Sequence, residues 1–145
     1  MGQLSKLKWQ LLIMAGLGTV ILMYAADIIF VWFYAQFKNP GRDQEFYTQF
    51  AYDTAAPFVF CFAPLLMYII CRWLCERGGQ AFYLYALCYF LLYFLIDMSL
   101  VMFNLEVLLS FVTLEGLLII SSKGLGVFAG AFFASKAHKL AQTNR

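Results

Sequence analysis

The stretch Trp9–Phe37 reads WQLLIMAGLGTVILMYAADIIFVWFYAQF, and its only charged residue is Asp27. About 20 apolar residues suffice for a helix to cross a hydrocarbon core roughly 30 Å thick. No period-2 alternation of a barrel strand interrupts the run, and in lipid every backbone N–H and C=O must be satisfied within the segment. The stretch therefore reads as a transmembrane helix. Lys6 and Lys8 precede it as they would a signal peptide, but Tyr24-Ala25-Ala26 is a poor cleavage site and apolar residues resume at Ile28. It is expected to stay uncleaved. The N-terminal Met1-Gly2 lacks the Ser or Thr at position 6 that a myristoylation signal needs.

Three further apolar runs lie downstream, at about 55–74, 81–103 and 107–134. The composition agrees with them. Of 145 residues, 63% are apolar, 19% aromatic and 12% charged, against roughly 45–50% apolar and 25% charged in soluble domains. A water-soluble globule, a disordered tail, a secreted disulfide scaffold and a nucleic-acid partner are all excluded on this basis. The four runs predict an all-α integral membrane protein, a single transmembrane domain over residues 1–145. The breaks are short: Lys38-Asn39-Pro40-Gly41-Arg42-Asp43, Gly78-Gly79, and a tight hairpin at Asn104-Leu105-Glu106. Short connections favour an up-down-up-down four-helix bundle.

Orientation follows from the basic residues. One side carries Lys6, Lys8, Arg72, Arg77, Lys136, Lys139 and Arg145, while the other carries Lys38 and Arg42. The excess places both termini in the cytoplasm, in a plasma or bacterial inner membrane. Trp9 and Trp73 would mark the inner boundary, Trp32 and Tyr34 the outer. The stretch Glu45–Tyr52, EFYTQFAY, suits a short segment lying along the headgroups.

Four ionisable residues fall inside the spans: Asp27, Asp97, Glu115 and Lys123. Each costs at least about 2.5 kcal/mol to place at a bilayer centre, so such residues face the bundle interior or a hydrated cavity. With midpoints near residues 22, 92 and 120, the three acids all lie about 7 Å outward of the middle. Three carboxylates gathered in a low dielectric cannot all remain ionised. Lys123 sits about 80° around the helix from Glu115, and so pairs with an acid on a neighbouring helix or snorkels. Cys61 and Pro64 fall near the same level, and proline frees a carbonyl able to coordinate a ligand. Tyr85, Tyr89, Tyr93 and Asp97 recur every fourth residue, forming a hydroxyl stripe that leads to a carboxylate, with Asn104 beyond. Tyr24 lies one turn before Asp27, and Thr113, Ser121 and Ser122 add hydroxyls to the fourth helix.

The expected site is thus Asp27, Asp97, Glu115, Lys123, Tyr93 and Tyr24, binding or transporting a proton, a cation or a small polar molecule. The alternative is a structural or accessory subunit whose acids are paired within the bundle. An enzyme is disfavoured, because neither HExxH nor a nucleophile elbow is present and His138 is the only histidine. No cofactor and no metal site are expected. Cys61, Cys71, Cys75 and Cys88 include no C-x-x-C pair and read as small apolar residues. Ser122, Gly126, Gly130 and Ala134 form a small-residue ridge, with a similar notch at Gly16 and Gly18. Besides the lipid bilayer, a homodimer mate or a larger membrane partner is expected through the Gly126/Gly130 face.

Overall fold

The computed structural model describes residues 8–78, 81–101, 109 and 113–143. Four long helices account for nearly all of them: α1 Trp9–Phe37, α2 Gln44–Gly78, α3 Phe82–Val101 and α4 Leu114–Thr143. All four are long and apolar enough to cross a membrane, so this is a multi-pass membrane protein by length and composition.

Residue chemistry sets the helix ends. After α1 the chain turns at Gly41, whose φ of 80° is one that glycine adopts without a Cβ clash. The Asp43 carboxylate then accepts the Phe46 N–H at 3.0 Å and caps α2. The Tyr47 hydroxyl donates to the Asn39 carbonyl at 2.6 Å and ties the turn down. At the other end of the chain, Thr113 Oγ1 accepts the Gly116 N–H at 3.1 Å and caps α4.

Two sequence expectations are corrected by these boundaries. The second span begins at Gln44 rather than near residue 55, so EFYTQFAY is the opening of α2 and not a separate interfacial segment. One of its rings packs on α1: Phe50 stacks on Tyr34 at 3.7 Å and on Phe30 at 6.0 Å, and further along α2 Phe58 continues the stack at 5.0 Å from Phe30. The fourth span opens its helix at Leu114 and runs on to Thr143, well past residue 134. The hairpin at Asn104-Leu105-Glu106, and with it the start expected at 107, lies outside the described residues.

The core is small and made of α1, the second half of α2, α3 and α4. Leu12, Met67, Leu74, Tyr85, Tyr89 and Val127 are its largest fully buried members, together with Thr19. Apolar residues such as Ile21, Ile28, Leu65, Leu95 and Leu125 point outward, as they do where the solvent is lipid. At one end, the Lys8 ammonium donates to the Arg77 carbonyl at 2.8 Å and the Lys8 N–H to the Tyr85 hydroxyl at 3.0 Å. Phe82 lies 5.6 Å from the His138 ring at the same end. The start of α1, the end of α2, the start of α3 and the latter part of α4 therefore meet.

The glycine ridge of α4 is spent inside the chain. A Cβ on Gly126 would collide with the Pro64 backbone, and one on Gly130 would lie 2.7 Å from the Tyr68 carbonyl oxygen. Both glycines are buried, and α2 occupies the face expected to receive a homodimer mate or larger partner. The close fit also takes up Pro64, whose own carbonyl abuts Gly126. In the first-helix notch, Gly16 packs on Ile96 and Leu92 of α3, whereas Gly18 faces open space.

Candidate functional site: a cleft with one unpaired carboxylate

A cleft of about 360 Å³ opens among the four helices. Val20, Met23, Tyr24 and Asp27 of α1 line it, with Ala55, Ala56 and Val59 of α2, Tyr93 and Asp97 of α3, and Gly116, Ile119 and Lys123 of α4. Helical geometry explains the set. Residues 20, 23, 24 and 27 share one face of α1, and residues 116, 119 and 123 one face of α4. The short side chains at Ala55, Ala56 and Gly116 leave the volume empty.

On one wall the charges are compensated. Lys123 Nζ stands 3.2 Å from Asp97 Oδ2 and donates to the Tyr93 hydroxyl at 2.9 Å. The Tyr93 hydroxyl in turn donates to Asp97 Oδ2 at 3.2 Å. The lysine ammonium also lies 5.0 Å from the centre of the Tyr93 ring. Both charged side chains are mostly buried, with 8% and 16% of their surface exposed. A buried ion pair needs good geometry and extra hydrogen bonds to offset desolvation, and here the tyrosine supplies them.

The α1 wall differs. Asp27 Oδ1 is buried and has no hydrogen-bond partner, the only such buried side-chain oxygen or nitrogen among the described residues. Tyr24, about half exposed, stands one turn away on the same wall. An ionised or polar group buried without a partner costs of order 1–3 kcal/mol or more, and folded proteins rarely tolerate it without a use.

Of the residues expected at the site, Asp27, Tyr24, Tyr93, Asp97 and Lys123 do line one cleft. Glu115 does not. It is exposed and lines an adjoining groove with Ala56, Pro57, Phe60, Cys61, Leu118 and Ile119. The reason is rotational: the eight-residue offset that turns Glu115 about 80° from Lys123 also turns it off the cleft face. The anticipated triad of acids is thus a pair, and one member is neutralised. The tyrosine stripe is interior but individually satisfied, since Tyr85 receives Lys8 and Tyr89 lies 2.6 Å from the Thr19 hydroxyl. Ser121 and Ser122 donate back to carbonyls of their own helix at 2.7 and 2.8 Å and leave the cleft alone. Asn104 lies outside the described residues.

Thr19, Ala55, Ala56 and Gly116 were not singled out from the sequence. Gly116 adjoins Glu115, but Ala55 and Ala56 carried no signal, because a second span opening near residue 55 put them at its edge and Cys61 and Pro64 at the level of the acids. The buried cysteines are free thiols, with Cys71 and Cys75 Sγ atoms 3.9 Å apart on one helix face. No cluster of three metal-ligating side chains occurs among the described residues.

Fold and site together define a multi-pass helical membrane protein with a polar cleft between its spans. The chain matches no family model, no curated protein and no solved structure.

Proposed function

We propose that the protein binds a proton, a cation or a small polar molecule in this cleft, with Asp27 as the acceptor, and passes it across or senses it. Support comes above all from the Asp27 carboxylate oxygen, buried and left without a partner beside an open volume. Tyr24 flanks it, and Asp97, Lys123 and Tyr93 form the fixed walls on α3 and α4. In this reading the helices alternate up and down, with both termini and the Lys8–Arg77 end on the cytoplasmic side of a plasma or bacterial inner membrane. The distribution of Lys and Arg supports that orientation.

The test is ligand-dependent stabilisation in lipid nanodiscs, since a ligand that binds the folded state raises the unfolding midpoint. Protons, alkali cations, alkylamines and small polyols form the panel. At least one is expected to stabilise the native protein, and Asp27→Asn to abolish that response. An equal response in the variant, or none in either protein, contradicts the reading.

The Lys123–Asp97 pair favours a second reading for its own half of the cleft, that of a scaffold or accessory subunit whose charges hold helices together. Under it Asp27 would find its partner on another protein. Native mass spectrometry of gently extracted complexes separates the two, because only the accessory subunit stays in a stable hetero-complex.

A further inference from the structure

The Cys71–Cys75 pair is buried with no third ligand among the described residues, and the groove at Glu115 offers one exposed acid on apolar walls. The cleft itself carries more. Building on the proposed binding role, we infer that its ligand is a lipophilic monovalent ammonium ion, with the N–H groups on Asp27 and an apolar body against α1, α2 and α4.

Charge narrows the choice first. Lys123 is consumed by Asp97 and Tyr93, so the cleft has no spare cation for an anionic ligand. Asp27 repels anions as well. The uncompensated charge is a single negative one, which suits a single positive charge.

Coordination narrows it next. Hard inorganic cations surround themselves with about six oxygens. The oxygen-bearing side chains lining this cleft are Asp27, Asp97, Tyr24 and Tyr93. Asp97 Oδ2 and the Tyr93 hydroxyl are already occupied by one another and by Lys123. What remains is the Asp27 carboxylate, the Tyr24 phenol and the second Asp97 oxygen, still short of six for a desolvated metal ion but ample for an ammonium, whose N–H donors can be met by a carboxylate oxygen.

Size and walls point to an organic ion. A proton needs no cavity, whereas 360 Å³ falls in the range of small organic ligands. Val20, Met23, Val59 and Ile119 offer nothing to a sugar or polyol but contact to an alkyl or aryl group. The half-exposed Tyr24 ring adds an electron-rich face to a cation.

The experiment uses the full chain in phosphatidylcholine nanodiscs, with empty discs subtracted, and calorimetric titration of 2-phenylethylamine. Its near-isostere 2-phenylethanol removes the charge, and sodium and potassium chloride supply inorganic cations. Saturable binding of the amine, at least tenfold weaker for the alcohol, is expected. Asp27→Asn should lose at least tenfold in affinity, Asp27→Glu should retain binding, and Ala56→Phe should block it by filling the cleft. Binding of sodium or potassium that depends on Asp27, without amine binding, overturns this inference and leaves the broader reading standing. Amine binding that is unchanged in Asp27→Asn overturns it too. Failure of every probe in the stabilisation panel and in this titration defeats both.

Discussion

Lys123 and Asp97, on α4 and α3, form a buried ion pair at 3.2 Å, while Asp27, lining the same cleft from α1, has no partner for its buried oxygen. One acid is spent on holding helices together and the other is not. On the proposed function, that asymmetry separates the structural acid from the ligand-binding one.

Breaking the pair should be costly. Lys123→Met alone, or Asp97→Leu alone, leaves an uncompensated buried charge, and such losses typically run to about 3–5 kcal/mol. The double variant should recover most of the loss, because two apolar side chains leave no orphan. Unfolding of the four proteins in bilayers, read as a double-mutant cycle, measures the coupling. Additive single effects would show that the pair contributes nothing jointly.

Tyr93→Phe removes the hydroxyl that bridges lysine and carboxylate. It should destabilise by about 1–3 kcal/mol, the cost of a lost hydrogen bond to charged groups. Tyr83→Phe, at an exposed position on the same helix, serves as the neutral control in the same unfolding measurement.

The glycines should divide sharply. Gly130→Ala places a methyl 2.7 Å from the Tyr68 carbonyl oxygen, and Gly126→Ala drives one into the Pro64 backbone. Either should push α2 and α4 apart and cost about 1–3 kcal/mol or more. Gly18→Ala meets nothing within 4 Å and should be neutral or stabilising by up to about 1 kcal/mol, as expected when a helical glycine gains a Cβ. Thermal midpoints of the three variants give the ordering, and a Gly130→Ala protein as stable as Gly18→Ala would refute the close α2–α4 contact.

How far the sequence could be read depends on which force decides each feature. The spans are set by hydropathy, which is local, so α1 was legible to the residue and four crossings were plain. The start of α2 was obscured because Gln44, Glu45, Gln49 and Asp53 look like loop in a hydropathy profile although all can sit in a helix. The cap at Asp43 was the overlooked signal. Intramembrane charges stood out by their cost, which brought Asp27, Asp97 and Lys123 to notice. Their partners could not be assigned, because Lys123 is delivered to Asp97 by the rotation and spacing of four helices. Those depend on close contacts such as Gly126 on Pro64 and Gly16 on Ile96. Glu115 shows the same limit from the other side: depth alone placed it with the other acids, and its rotation about α4 removes it.

The central claim is that Asp27 is kept for a ligand at some expense to the fold, and measuring bilayer unfolding free energy and amine affinity on one Asp27→Asn preparation tests it most directly. The account predicts a variant as stable as the native protein, or more stable by up to about 3 kcal/mol, that has lost its ligand. A variant destabilised as severely as Asp97→Leu, with binding intact, would contradict it and make Asp27 a structural residue like its neighbour.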